Sequence, residues 1–242
     1  MTTDFIEYIE GFAFCTIRPT IALFLIPFGG NESLGIALRL PLMLMFATLP
    51  QQSGWPADPV AAIGIEVLIG LTLGLLLSVA FHAAGAAGAL IDQQGGYTIG
   101  ASYDPNFRDE AALFEQLFVW FATLTFFTGT GLQAVYGFFA DSWALWPPGA
   151  RSPNYMQVVH DLADRRLAQA FAEGAQIAMP LIGLMLLVDV SLGLMSRYAK
   201  RINPFTTART VKAIVLSLAI IFCVPILFKR FNAMLLQIVI LK

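Results

Sequence analysis

Residues 60–91 read VAAIGIEVLIGLTLGLLLSVAFHAAGAAGALI, with a single carboxylate, Glu66, and a single imidazole, His82. A helix needs roughly 20 apolar residues to cross a hydrocarbon core. Lipid offers no partner to backbone N–H and C=O groups, so a run of this kind is an α-helix or part of a closed barrel. Barrel strands alternate apolar and polar residues, and this run does not. At 1.5 Å per residue it makes a helix of about 48 Å, longer than one straight crossing. The fold class follows: an all-α, polytopic membrane protein.

Working outward, five further apolar blocks cover 11–28, 34–49, 111–146, 171–196 and 211–241. The 242 residues are 57% hydrophobic and 12% charged, with a mean hydropathy of +0.72. Soluble domains carry about 25% charged residues, so this chain lacks the material for a water-facing surface. The first block is preceded by Asp4, Glu7 and Glu10 and interrupted by Arg18-Pro19. A cleaved signal would start with positive charge, so the block is expected to be retained. Cys15 and Cys223 lie inside apolar blocks and read as small hydrophobes, not a disulfide.

Charge is unevenly spread. From Arg197 to Lys242 there are basic residues and no acidic one. Basic loops tend to stay cytoplasmic, which makes 197–212 and the C-terminus cytoplasmic candidates. If both are, the stretch from 213 onward must turn back as a hairpin or lie along the interface. Prolines and glycines gather at 27–30, 50–59 and 147–153, and the one sizeable hydrophilic stretch is 150–170. The reading is a single membrane domain with a polar waist. Arg39 precedes Leu40-Pro41, and Pro180 and Pro225 fall inside later blocks, where proline is expected to bend or break a helix. Broken helices at membrane depth are tolerated where protein or water surrounds them. The pattern fits a subunit buried among other helices.

Seven ionisable residues lie in or beside the blocks: Arg18, Arg39, Glu66, Asp92, Glu115, Asp189 and Lys212. A charge at the bilayer centre costs about 2.5–3.5 kcal/mol on insertion scales, so such groups need partners or water. Buried pairing is the expectation for Arg18, Arg39, Glu66 and Asp189. For Glu115 and Lys212, near block ends, a headgroup-level position is the favoured reading. Spacing does not say which cation meets which anion. Glu66, Gly70, Gly74 and Ser78 fall every fourth position, a stripe that lets another helix approach closely. Gly85, Gly88 and Asp92 share a second face. Beyond Asp92 comes Gln93-Gln94-Gly95-Gly96-Tyr97-Thr98-Ile99-Gly100 and then Asp104-Pro105-Asn106, a glycine-rich polar segment. Its composition suits a loop that blocks a pore and then yields, and equally an idle surface loop.

Enzyme signatures are lacking. Gly100-Ala101-Ser102 would need a histidine base on another membrane helix, and neither His82 nor His160 has that setting. There is no phosphate-cradling G-x-x-x-x-G-K-[ST], and two histidines with two scattered cysteines make no zinc site. Basic residues interleaved with membrane-type sequence do not make a nucleic-acid surface. No catalytic residue, cofactor or metal is expected.

Four places, in order, resemble the FliR/SctT family of type III secretion export-apparatus subunits. They are Arg18-Pro19 with Pro27-Phe28-Gly29; Glu66-x-x-x-Gly70-x-x-x-Gly74 with Ala87 to Gly95 and Asp104-Pro105; Ser142 to Pro147; and Asp189-x-x-Leu192-Gly193-x-x-x-Arg197 with Asn203, Phe205 and Lys212. Two departures stand out. Pro204 occupies a stretch that usually reads Q-x-N-V-F, and Gly129-Thr130-Gly131 replaces the flagellar Asn-Gly-His. The latter, with Trp146-Pro147, favours the injectisome (SctT, virulence) branch. The resemblance implies a non-enzymatic, inner-membrane subunit of a helical pore complex projecting toward the periplasm. Expected partners are five copies of a FliP/SctR-like subunit, four of a FliQ/SctS-like subunit, further export-apparatus proteins and the secreted polypeptides. It further implies that 1–150 is FliP/SctR-like, that 151–242 is FliQ/SctS-like, and that the loop from Gly95 to about Glu110 plugs the closed channel. The alternative reading is a self-sufficient ion-coupled transporter, with Glu66, Asp92 or Asp189 as its ion site.

Overall fold

The computed structural model describes residues 2–29, 32–50, 54–96, 113–149, 167–198 and 204–239, and every regular element among them is a helix. In order these are α1 (Thr2–Cys15), α2 (Ile17–Phe24), α3 (Glu32–Ala47), α4 (Pro59–Gly95), α5 (Leu113–Thr128), α6 (Gly131–Leu145), α7 (Leu167–Tyr198) and α8 (Pro204–Val239). The apolar runs become helices because nothing else satisfies their backbone. α4 is the axis on which α2, α5, α7 and α8 pack.

Small residues set how closely they pack. A Cβ added at Gly70 would stand 2.8 Å from the Arg18 carbonyl oxygen, and one at Gly74 would stand 2.7 Å from the Ala22 Cα. The stripe that begins at Glu66 is therefore the seat of α2. Ser78 continues it, buried, with its hydroxyl donating to the Leu75 carbonyl at 2.8 Å. The second face meets α5: a Cβ at Gly88 would lie 2.6 Å from the Glu115 Cα, and one at Gly85 3.2 Å from Val119. α7 approaches through its own Gly174, where a Cβ would lie 2.6 Å from the Ala83 carbonyl oxygen.

Aromatic rings fill the space left over. Phe28 lies at 5.3–5.7 Å from Phe81, Phe126 and Phe127. It is held there by the Pro27-Phe28-Gly29 turn. The Gly29 N–H donates to Thr123 Oγ1 (3.2 Å) and its carbonyl accepts from Gln116 Nε2 (3.2 Å). Gly29 has φ +65°, and a side chain there would also strike Trp120.

The prolines inside the blocks do not break their helices. Helices α3, α7 and α8 run on through Pro41, Pro180 and Pro225. The sharp break is at 129–130, where α5 and α6 meet at 72° and divide the block 111–146. Thr125 and Thr128 hydroxyls donate back to the Phe121 and Leu124 carbonyls (2.8 and 2.7 Å) just before it. Such back-bonding weakens the helical ladder, and the two glycines beyond allow the reversal. Pro204 opens α8, where its missing N–H costs nothing. Because α8 is one helix, its ends lie about 54 Å apart at 1.5 Å per residue. Among the described residues, the stretch 213–239 forms no hairpin.

Among the described residues three helices, α4, α7 and α8, are long and apolar enough to cross a membrane, and α5–α6 would make a fourth as a broken span. Gly74→Ala should destabilise the protein by about 1–3 kcal/mol through overpacking against α2. Gly64→Ala, which faces open space, should be neutral or slightly stabilising because alanine favours helix. Thermal unfolding in detergent measures both.

Candidate functional site

Two polar constellations are built into this apolar frame, one at each half of α4. The first centres on Arg18, wholly buried on α2. Its Nε donates to Glu66 Oε2 at 2.8 Å and its Nη2 to Glu66 Oε1 at 3.0 Å, a two-pronged ion pair. Nη1 donates to the Ser142 carbonyl (3.1 Å) and hydroxyl (3.0 Å), and Nη2 also to the Trp146 carbonyl (3.0 Å). The guanidinium stacks 3.6 Å from the Trp143 ring centroid. All five N–H groups of the fork are used. Arg18 thus ties α2, α4 and the end of α6 into one unit. Pairs desolvated this far hold only when geometry is good and every donor is satisfied.

The second constellation lies at the C-terminal end of α4. Asp92 is buried and accepts from the backbone N–H groups of Phe114 (3.0 Å) and Glu115 (2.9 Å). Both N–H groups lie in the first turn of α5, so a carboxylate there suits the positive end of the helix dipole. Two residues on, the Gln94 carbonyl accepts from Lys212 Nζ of α8 at 3.1 Å. The same ammonium pairs with Asp189 Oδ2 of α7 at 2.6 Å; the side chains are 9% and 36% exposed. α4 ends in a left-handed cap at Gly96, φ +73°. Asp92 and Lys212 thus grip both sides of the polar segment: residue 96 leaves the clamp and residue 113 re-enters it.

The structure brings the singled-out charges together as Arg18 with Glu66, and Lys212 with Asp189. Lys212 is buried at the clamp, paired within the chain. Glu115 is exposed, and it is its backbone, not its carboxylate, that joins Asp92. Arg39 is half-buried on α3; Nη2 donates to the Ile26 carbonyl at 2.7 Å, and the guanidinium lies 5.4 Å from the Phe24 ring. Of the segment read as a plug, Gln94, Gly95 and Gly96 end α4, whereas Tyr97, Thr98, Ile99, Gly100, Asp104 and Pro105 lie outside the described residues. So does 150–166, most of the polar waist. The sequence reading missed the roles of Ser142 and Trp143. Their position in Ser142-Trp143-Ala144-Leu145-Trp146-Pro147 was the available signal, since serine and tryptophan at a helix end offer both acceptor and ring to a cation.

Residues 9–238 match the family model described as Bacterial export proteins, family 1. The chain belongs to this family. Similar proteins include secretion system apparatus protein SsaT of Salmonella typhimurium, 28% identical over 90% of this chain and 88% of SsaT. Yop proteins translocation protein T of Yersinia pestis is 27% identical over 72% of this chain and 67% of its own length. Flagellar biosynthetic protein FliR of Pectobacterium carotovorum is 27% identical over 84% and 79%. These are FliR/SctT-type members of the type III secretion export apparatus, and the SsaT match fits the injectisome branch. The family places the chain in protein secretion, and its long apolar helices place it in a membrane. Its homologues are export-apparatus components rather than enzymes.

Glu66→Ala leaves a buried, uncompensated guanidinium and should cost about 3–5 kcal/mol, enough to empty the membrane of folded chain. Replacing both partners, Arg18→Met with Glu66→Leu, should restore much of the lost level. Immunoblots of membrane fractions and detergent melting curves read both outcomes.

Proposed function

We propose that the chain is a structural and gating subunit of the type III export gate. With FliP/SctR-like and FliQ/SctS-like subunits it forms the inner-membrane entry pore for unfolded secretion substrates. In this reading the segment from Gly95 to about Glu110, including Tyr97, Thr98, Ile99, Gly100, Asp104 and Pro105, narrows the closed passage. The part before 150 is FliP/SctR-like and the part after it FliQ/SctS-like, with α7 and α8 as a hairpin added to the α1–α6 unit. The complex projects toward the periplasm.

The observation that carries this reading is the clamp. A loop that obstructs a pore under pressure from a substrate, then yields and returns, needs a fixed base and a compliant middle. Asp92 holds the segment's downstream anchor, α5, against its upstream one, α4, and Lys212 locks the end of α4 to α7 and α8. Between these anchors the sequence is glycine-rich and polar. The transporter alternative needs an exchangeable carboxylate in the membrane. Glu66 is engaged by Arg18 in two hydrogen bonds, Asp92 by two backbone amides and Asp189 by the Lys212 ammonium at 2.6 Å, so each of the three candidate carboxylates already has a partner within the chain.

Deleting 97–103 while leaving the clamp intact should raise leakage of small solutes and ions across membranes that contain the assembled complex. The check is uptake of a membrane-impermeant dye alongside secretion of a reporter. Unchanged leakage with intact secretion rejects the gating role.

A further inference from the structure

The two arginines of the α2–α3 region face opposite fates. Arg18 has every N–H accepted within the chain. Arg39 has one accepted, by the Ile26 carbonyl, and its Nε is buried without a hydrogen-bond partner. No carboxylate of a described residue pairs with it. The guanidinium lies back over Gly35, whose missing Cβ would sit 3.3 Å from its Cζ, so close packing holds it in place. The surface around it is apolar: Phe24, Ile36, Leu40 and Leu44 are all exposed, with Leu40 at 57%. A guanidinium held beside such an apolar surface keeps donors to offer, and the surface itself supplies no acceptor for them.

We infer that the face formed by Phe24, Ile36, Leu40 and Leu44 is covered by an apolar membrane helix of a neighbouring subunit, and that this helix presents a carboxylate to Arg39. Charge complementarity selects the occupant. A second copy of this face would set arginine against arginine. A planar guanidinium matches a carboxylate in a two-pronged geometry, and burial of the contact strengthens it. The apolar rim excludes water from the pair in the manner of an interface hot spot. The inference rests on the proposal that the chain works inside an assembly, and adds which surface makes one of its contacts and through what chemistry.

A photoreactive side chain replacing Ile36, in the full chain expressed with its export apparatus, tests this directly. Irradiation should yield one crosslinked product with a sister membrane protein, and the crosslinked segment should contain an aspartate or glutamate. Arg39→Glu should reduce that product at least tenfold, Arg39→Lys should reduce it less, and reversing the partner's acid to arginine should restore it in Arg39→Glu. Total membrane-inserted chain, measured in parallel, should match the parent for Arg39→Lys. Crosslinking to lipid alone overturns the inference, as does a sister segment with no acidic residue, or an Arg39→Glu chain that crosslinks as the parent does. If the parent chain purifies with no sister subunit at all, the assembly proposal itself fails, a result separate from these.

Discussion

The buried pair of Arg18 and Glu66 is the constraint from which the rest of the architecture follows. Removing two charges from water is expensive, and their attraction repays it only when geometry is close and every donor is satisfied. Here the remaining donors are satisfied by Ser142 and Trp146, more than a hundred residues along the chain. The short helix α2, the long central helix and the end of the α5–α6 elbow are therefore held by one side chain. Gly70 and Gly74 make it possible, because any larger residue would push α2, and Arg18 with it, away from Glu66. Electrostatics specifies the register, and the glycines allow the contact distance.

The outer surface carries the complementary message. Along α7 and α8, Met179, Leu187, Val190, Ile221, Phe222 and Ile226 are all exposed. Those two helices bury less of their apolar length than α4 does. Together with the Arg39 face, this leaves apolar area on several sides of the chain. In membranes, helices associate through close packing and hydrogen bonds rather than through the hydrophobic effect, so small residues and stranded polar groups mark protein contacts better than greasiness does. By that measure the α2–α3 face is a stronger interface candidate than the broader apolar surface of the last two helices.

Much of this was legible in the sequence, and the gaps have physical causes. The helical class, the central block and the two small-residue faces follow from lipid's inability to satisfy a backbone and from the spacing of Gly70, Gly74, Gly85 and Gly88. Pairing was not legible, because charges tens of residues apart meet through tertiary packing that no local pattern encodes. Lys212 shows this: nothing in its local sequence announces that it meets Asp189 of α7 and the Gln94 carbonyl at the end of α4. Prolines did not mark helix ends. A helix loses one hydrogen bond at proline and continues when neighbours hold it, whereas the threonine-backed glycines at 129–131 permitted a true elbow. Asp92 was singled out as a helix-face residue, and its role as the cap of α5 appears only once the two helices are side by side.

The account makes the chain one member of a hetero-oligomer that encloses a passage. Native mass measurement after extraction in mild detergent tests this most directly. The expected result is a complex in which one copy of this chain travels with two kinds of small membrane protein in unequal numbers. A folded, solitary chain that transports a solute by itself in liposomes would contradict it.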